Sequence, residues 1–162
     1  MKTLALLLAA ACAAAAQQFP SVEAQTLTDK KLTVPSAFSG KPTLLILGFS
    51  QASQKASEAW GRELLQDFGK DFRFYSAAVL EEAPRLIRPM IMGGMKRSIP
   101  KEGHDRFFIF VKGESQLKQA VGFDPKSPDD AYLVIVDANG ALKWRFHGKP
   151  GAAQVAEIKA AF

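Results

Sequence analysis

Apolar residues in this 162-residue chain gather into short runs of strand length, separated by stretches where they recur at helical spacing. After an apolar leader, Leu27 to Pro35 alternates around a Lys30-Lys31 turn and predicts a small hairpin. Gly40-Lys41-Pro42 then introduces a first core strand over residues 43–49. Between residues 53 and 68, Ala56, Ala59, Trp60, Leu64 and Phe68 fall at helical spacing, and Gly69 stops the helix. Phe72 to Leu80 predicts a second strand, and its parallel return across that helix makes a βαβ unit. Phe107 to Val111 is the next apolar strand, followed by a short helical piece at 114–120. Tyr132 to Asp137 and Ala141 to Phe146 flank Asn139-Gly140, which predicts a hairpin with a positive-φ turn. Pro150 opens a last, alanine-rich helix that runs toward Phe162.

A βαβ unit, then an antiparallel hairpin, then a terminal helix is the order of a thioredoxin-like domain. The expected fold is therefore α/β: a three-layer α/β/α sandwich around a mixed central sheet. Redox members of that fold carry Cys-x-x-Cys where the first core strand turns into its helix, with the first thiol acidified by the helix N-terminus. The matching residues here are Gln54-Lys55-Ala56-Ser57, and neither Gln54 nor Ser57 can act as a thiolate. The position just before the strand at 132–137, usually a cis proline in this fold, is Ala131. The frame is kept and the redox chemistry is deleted.

The single cysteine, Cys12, lies inside the leader. Lys2, the apolar run from Leu4 and Ala14-Ala15-Ala16 before Gln17 read as a cleaved secretory signal over residues 1–16, too short for a spanning helix. Residues 17–26 read as a linker and 27–162 as the domain, placed in the periplasm or secreted. Leu8-Ala-Ala-Ala-Cys12 is a weaker alternative, a lipoprotein box with Ala9 where a larger aliphatic is usual.

Removing Lys2 with the leader leaves 20 basic against 16 acidic residues. The whole excess sits in residues 85–106, where Arg85, Arg88, Lys96, Arg97, Lys101 and Arg106 face Glu102 and Asp105. The bland reading of such a run is a solvated face. Leu86, Ile87, Met90 and Ile91 give the same segment an apolar side, which favours a surface for a protein client or an anionic membrane. Pro89 and Gly93-Gly94 are expected to kink or interrupt any helix there. Met90, Met92 and Met95 supply either pliable partner packing or, as an alternative function, a Cu(I) chaperone site.

His104-Asp105-Arg106 has no nucleophile assigned to it, so a structural role is expected: His104 and Asp105 cross-link the loop entering the next strand, and Arg106 pairs with a carboxylate. His147 has no identifiable companion, and Trp60 and Trp144 read as packing. No zinc spacing and no phosphate-binding glycine loop occur, and the basic segment lacks the aromatic platform that would suit nucleic acid.

Two blocks carry a resemblance. Ser98-Ile-Pro-Lys-Glu-Gly-His-Asp-Arg-Phe-Phe-Ile109 and Ala131-Tyr-Leu-Val-Ile-Val-Asp-Ala-Asn-Gly-Ala-Leu-Lys-Trp144, with Phe49-Ser50-Gln51 and Trp60, resemble the mitochondrial ATP-synthase assembly factor family over most of residues 27–148. That family is thioredoxin-like and chaperones the proton-channel subunit a. The leader is secretory rather than an Arg-rich transit peptide, and residues 147–151 read His-Gly-Lys-Pro-Gly where a small, neutral run is expected. The resemblance therefore implies an exported bacterial relative. It would be a non-catalytic binding or assembly factor without cofactor; the segment's own cations and apolar side, rather than the resemblance, offer Arg85, Arg88, Met90, Met92, Met95, Lys96, Arg97, His104, Asp105 and Arg106 as the residues that grip a protein client.

Overall fold

A computed structural model describes residues 16–162. The leader, with Cys12 and the cleavage and lipidation expectations, falls outside the described residues apart from Ala16. Seven strands form one mixed sheet: β1 (Val22–Thr26), β2 (Lys31–Val34), β3 (Thr43–Gly48), β4 (Phe74–Val79), β5 (Phe107–Phe110), β6 (Tyr132–Val136) and β7 (Leu142–His147). Among the described residues four α-helices accompany them: α1 (Gln54–Phe68), α2 (Arg88–Ser98), α3 (Glu114–Val121) and α4 (Ala152–Ala161). The strand order is β2-β1-β5-β4-β3-β6-β7. Strands β3, β4 and β5 run parallel, and the two hairpins at the sheet edges are antiparallel. This is the expected thioredoxin-like sandwich.

The strand pleat divides the core into two layers. Leu45 and Leu47 point to one side with Phe38, Phe108, Leu117 and Val134, whereas Leu44 and Ile46 point to the other with Trp60, Leu64, Leu133 and Ile158. Strands β3 and β6 are buried on both faces, which is why they read as unbroken apolar runs. Strand β7 alternates between exposed and half-buried residues, as an edge strand does. Trp60 is fully buried and its indole N–H donates to the Gly148 carbonyl at 2.7 Å, while Trp144 donates to Glu157 at 2.8 Å.

Three sequence expectations change. The supposed linker at 17–26 contains β1, which pairs antiparallel with both β2 and β5 and buries Val22, Ala24 and Thr26. The predicted hairpin around Lys30-Lys31 is accordingly shifted: its turn spans 27–30, and Lys31 already begins β2. Finally, α2 runs unbroken through the residues expected to interrupt it. Pro89 stands in the first turn, where no intrahelical partner is needed for its missing N–H. In the β6–β7 turn only Gly140 takes a positive φ, at 80°, and the Asp137 carboxylate closes the turn by accepting from the N–H groups of Asn139 and Ala141.

Candidate functional site

The carboxyl ends of β3, β4 and β5 meet the start of α1, the place where redox members of this fold hold their thiols. Residues 50–53 wind into a turn closed by serines. Ser53 is buried at the α1 N-terminus, its hydroxyl donates to the Ser50 carbonyl at 2.6 Å, and its N–H donates to the Ser50 hydroxyl at 3.1 Å. Gln54 is the first helical residue and is exposed, reaching Glu58 at 2.9 Å, and Ser57 lies one turn into the helix, half-buried. Residues 16–162 contain no cysteine. Ala131 is fully buried directly before β6, and among the described residues cis geometry occurs only at Val34–Pro35. The fold does unite the two halves of this degenerate site: the Ser50 hydroxyl donates to Asp129 at 2.6 Å across the two loops.

Below that junction the space is filled. Phe49, Phe123 and Tyr132 pack at ring distances of 5.2 to 5.6 Å, and Tyr132 stacks on His147 at 4.9 Å. Burial pushes the Tyr132 phenol up from its ordinary value. His147 has the companion its sequence context did not show: its Nδ1–H donates to Asp130 at 2.8 Å. Lys118 sits over Phe123 at 4.7 Å and pairs with the buried Glu114 carboxylate at 2.6 Å, a hydrogen bond that raises the Lys118 ammonium above its ordinary value.

Beside this end, the chain leaving β4 forms the most exposed apolar feature among the described residues. Leu86 is 94 % exposed, Met90 68 % and Ile87 40 %. The turn presenting them is fastened at its base. The Arg88 guanidinium donates back to the carbonyls of Glu81 and Ala83, at 2.7 and 2.9 Å. The Glu81 carboxylate in turn accepts the N–H of Glu114 at 2.6 Å, so an acid stands at the positive end of α3. Arg85 is exposed. These three charges, with Glu82, cancel locally, so the apolar turn is not the centre of the basic excess.

The other cations of the segment lie at the far end of α2, roughly 16 Å along its 11 residues at the usual helical rise. Lys96 pairs with Asp29 at 2.9 Å and lowers that carboxyl below its ordinary value. Asp105 accepts from Thr28 at 2.6 Å and from Lys30 at 3.1 Å, and the same two contacts hold its carboxyl low. His104 donates through Nε2 to the Ile99 carbonyl at 2.8 Å. His104 and Asp105 therefore do cross-link the loop before β5. Arg106, expected to meet a carboxylate, instead makes one 3.4 Å bond to the Lys70 carbonyl, and Arg97 is exposed.

The methionines do not converge. At about 100° per residue, a helix turns Met90 about 200° from Met92 and about 140° from Met95. Met92 and Met95 share a side, half-buried, and Met90 projects elsewhere. The described residues also hold no group of three or more His, Cys, Asp or Glu suited to a metal. What the sequence reading missed is the pairing of Glu81 with the α3 N-terminus and the serine turn at 50–53. The first joins segments 33 residues apart, whereas the second is local, closed by Ser50 and Ser53, and the Ser50-x-x-Ser53 spacing was its only signal.

The family model described as ATP10 protein matches residues 11–161. No curated protein sequence matches the chain. Among solved structures, the exposed lipoprotein thioredoxin Etrx1 of Streptococcus pneumoniae superposes with a TM-score of 0.61 at 14% identity, over 88% of this chain and 100% of that one. BsSco, a member of the Sco family of cytochrome c oxidase assembly proteins, gives 0.58 at 12% identity, over 91% and 94%. A thio-disulfide isomerase of Thermus thermophilus gives 0.55 at 19%, over 90% and 95%.

Proposed function

Since the chain belongs to the ATP10 protein family of ATP synthase assembly factors, we propose that it is an exported, non-catalytic assembly factor whose client is a subunit of a membrane complex. The observation that carries this reading is the end of the sheet where the fold's chemistry would sit. The helix N-terminus there is closed by Ser50 and Ser53 instead of thiols, and beside it Leu86 and Ile87 stand exposed on a braced turn, with Met90 exposed in the first turn of α2.

An exposed leucine on a mobile loop would lose most of its binding free energy to ordering. On a turn held by Arg88 and Glu81 that cost is largely met before the client arrives. The contact surface is apolar and locally neutral, so association is driven by burial of apolar area and depends little on salt. The reading tests directly. A photo-crosslinking residue at position 86, in the full chain expressed with its native membranes, should capture one dominant membrane-associated partner. The same probe at Leu65, an exposed α1 position 44 % accessible, should not. Identical capture from both positions, or none from position 86, removes the client-binding surface. Sequencing the N-terminus of the protein recovered from the periplasmic fraction tests export and cleavage before Gln17.

A further inference from the structure

At the opposite end of the sheet, Lys41, Arg73 and Arg106 line one cleft of about 310 Å³ with Asp71, Phe74 and Tyr75. The convergence comes from topology. Lys41 lies two residues before β3, while Arg73 and Arg106 directly precede β4 and β5, and these three strands are parallel neighbours. Their amino ends therefore deliver three cations to one rim.

Arg73 is held in place before any ligand arrives. The fully buried Thr43 hydroxyl donates to the Lys41 carbonyl at 3.0 Å and accepts from Arg73 Nε at 2.9 Å. Arg73 Nη2 donates to the Phe38 carbonyl at 2.8 Å, and the guanidinium lies 5.8 Å from the Tyr75 ring centre. Its Nη1 donors have no partner among the described residues. Among the described residues the Lys41 ammonium is likewise unengaged, and Arg106 has only its long bond to Lys70. Asp71, the one carboxylate of the cleft, forms no ion pair with any of them among the described residues. Three cations against one acid leave the cleft with two uncompensated positive charges.

We propose that this cleft binds a phosphate-type oxyanion. A phosphate monoester carries about −1.5 to −2 at neutral pH, which matches the excess. Guanidinium groups present paired N–H donors that fit such oxygens, and the Tyr75 ring, on the same face of β4 as Arg73, supplies an apolar edge for an organic substituent. A solvated basic face would leave its arginines free in water. Arg73 is instead anchored by a buried hydroxyl and a carbonyl, the arrangement of a side chain kept ready for a ligand. The site is independent of the client surface, from which it is separated by the length of the strands.

Titration of the 15N-labelled protein with inorganic phosphate, at ionic strength held constant with sodium chloride, tests the site. Saturable shifts should be confined to residues 41–43, 71–75 and 104–107. Arg106→Gln and Lys41→Gln, both at exposed positions that spare the fold, should each raise the apparent Kd roughly tenfold, since each removes a charge-assisted contact. Lys143→Gln, at an exposed position on β7, should leave it unchanged. Glycerol 3-phosphate and phosphatidylcholine vesicles with or without phosphatidic acid separate the sources. Phosphate-competed binding to the acidic vesicles assigns a lipid headgroup, and binding of the soluble ester alone assigns a free phosphate compound. Shifts that never saturate, or that weaken equally in all three variants, overturn the proposal.

Discussion

The Arg88 guanidinium donates to the carbonyl of Glu81, seven residues earlier, at 2.7 Å, while the carboxylate of that same Glu81 accepts the first N–H of α3. One acidic residue thus receives the turn on its backbone and ties that turn to a helix through its side chain. The exposed apolar turn at Leu86 is a braced projection from the sheet.

Replacing Arg88 with Met should release the brace without opening the core. Two charge-assisted bonds to carbonyls at a partly exposed site contribute about 1–2 kcal/mol, read as a lower urea midpoint. The more specific readout is limited trypsin digestion. Cleavage after Arg85 should accelerate in Arg88→Met, because the turn must unfold locally to enter the protease. Unchanged cleavage would mean that the turn is held by something other than Arg88.

Leu86→Ser and Ile87→Ser should change stability by less than about 0.5 kcal/mol each, because both side chains already meet solvent. Capture of the client should fall sharply in the same variants, and wild-type capture should persist as salt is raised. If capture instead falls with salt and survives loss of Leu86, the cations at the far end of α2 are the working surface.

Lys118 and the buried Glu114 make stability depend on pH in a definite direction. The folded ammonium is raised above its ordinary value by the hydrogen bond to Glu114, with Glu82 adding to it. Its contribution is therefore complete below the unfolded lysine value of about 10.4 and is lost as pH rises through the higher folded value. Lys118→Met should cost about 1–3 kcal/mol near neutrality, because it leaves a buried carboxylate unpaired. The gap between wild type and variant in urea denaturation should narrow above about pH 10. A gap that is constant with pH would assign the loss to packing on Phe123 alone.

Gly48→Ala probes the serine turn. A Cβ on Gly48 would collide with the Ser53 hydroxyl and touch Ser57 at 3.6 Å, so overpacking should cost about 1–3 kcal/mol. The double change Gly48→Ala with Ser53→Ala should recover part of that loss. If it recovers nothing, the strain lies in the strand backbone.

Insulin reduction and peroxide consumption by the purified protein should not exceed a buffer control, since no thiol exists between residues 16 and 162. Anaerobic Cu(I) titration should likewise show no stoichiometric site lost on changing Met90, Met92 and Met95 to Leu together. A tight site with that dependence would require the helix to deform.

The central strands, the α1 helix and the closing hairpin were legible in the chain because each buries its own apolar run or face, a property of neighbouring residues. Loss of the thiols was equally a matter of residue identity, as were the blocks at 98–109 and 131–144 that carry the family resemblance. Strand β1 was not legible. Val22, Ala24 and Thr26 alternate with Glu23 and Gln25 over only five residues, too short a signal to stand apart from a linker, and the strand is fixed by the hydrogen-bonding edges of β2 and β5 on either side. The basic residues of 85–106 looked like one surface because they are close in sequence. The helix between them carries Arg85 and Arg88 to one end of the sheet and Arg97 and Arg106 toward the other. Composition records how much charge a segment holds, whereas the crossover from β4 to β5 decides which end of the sheet receives it.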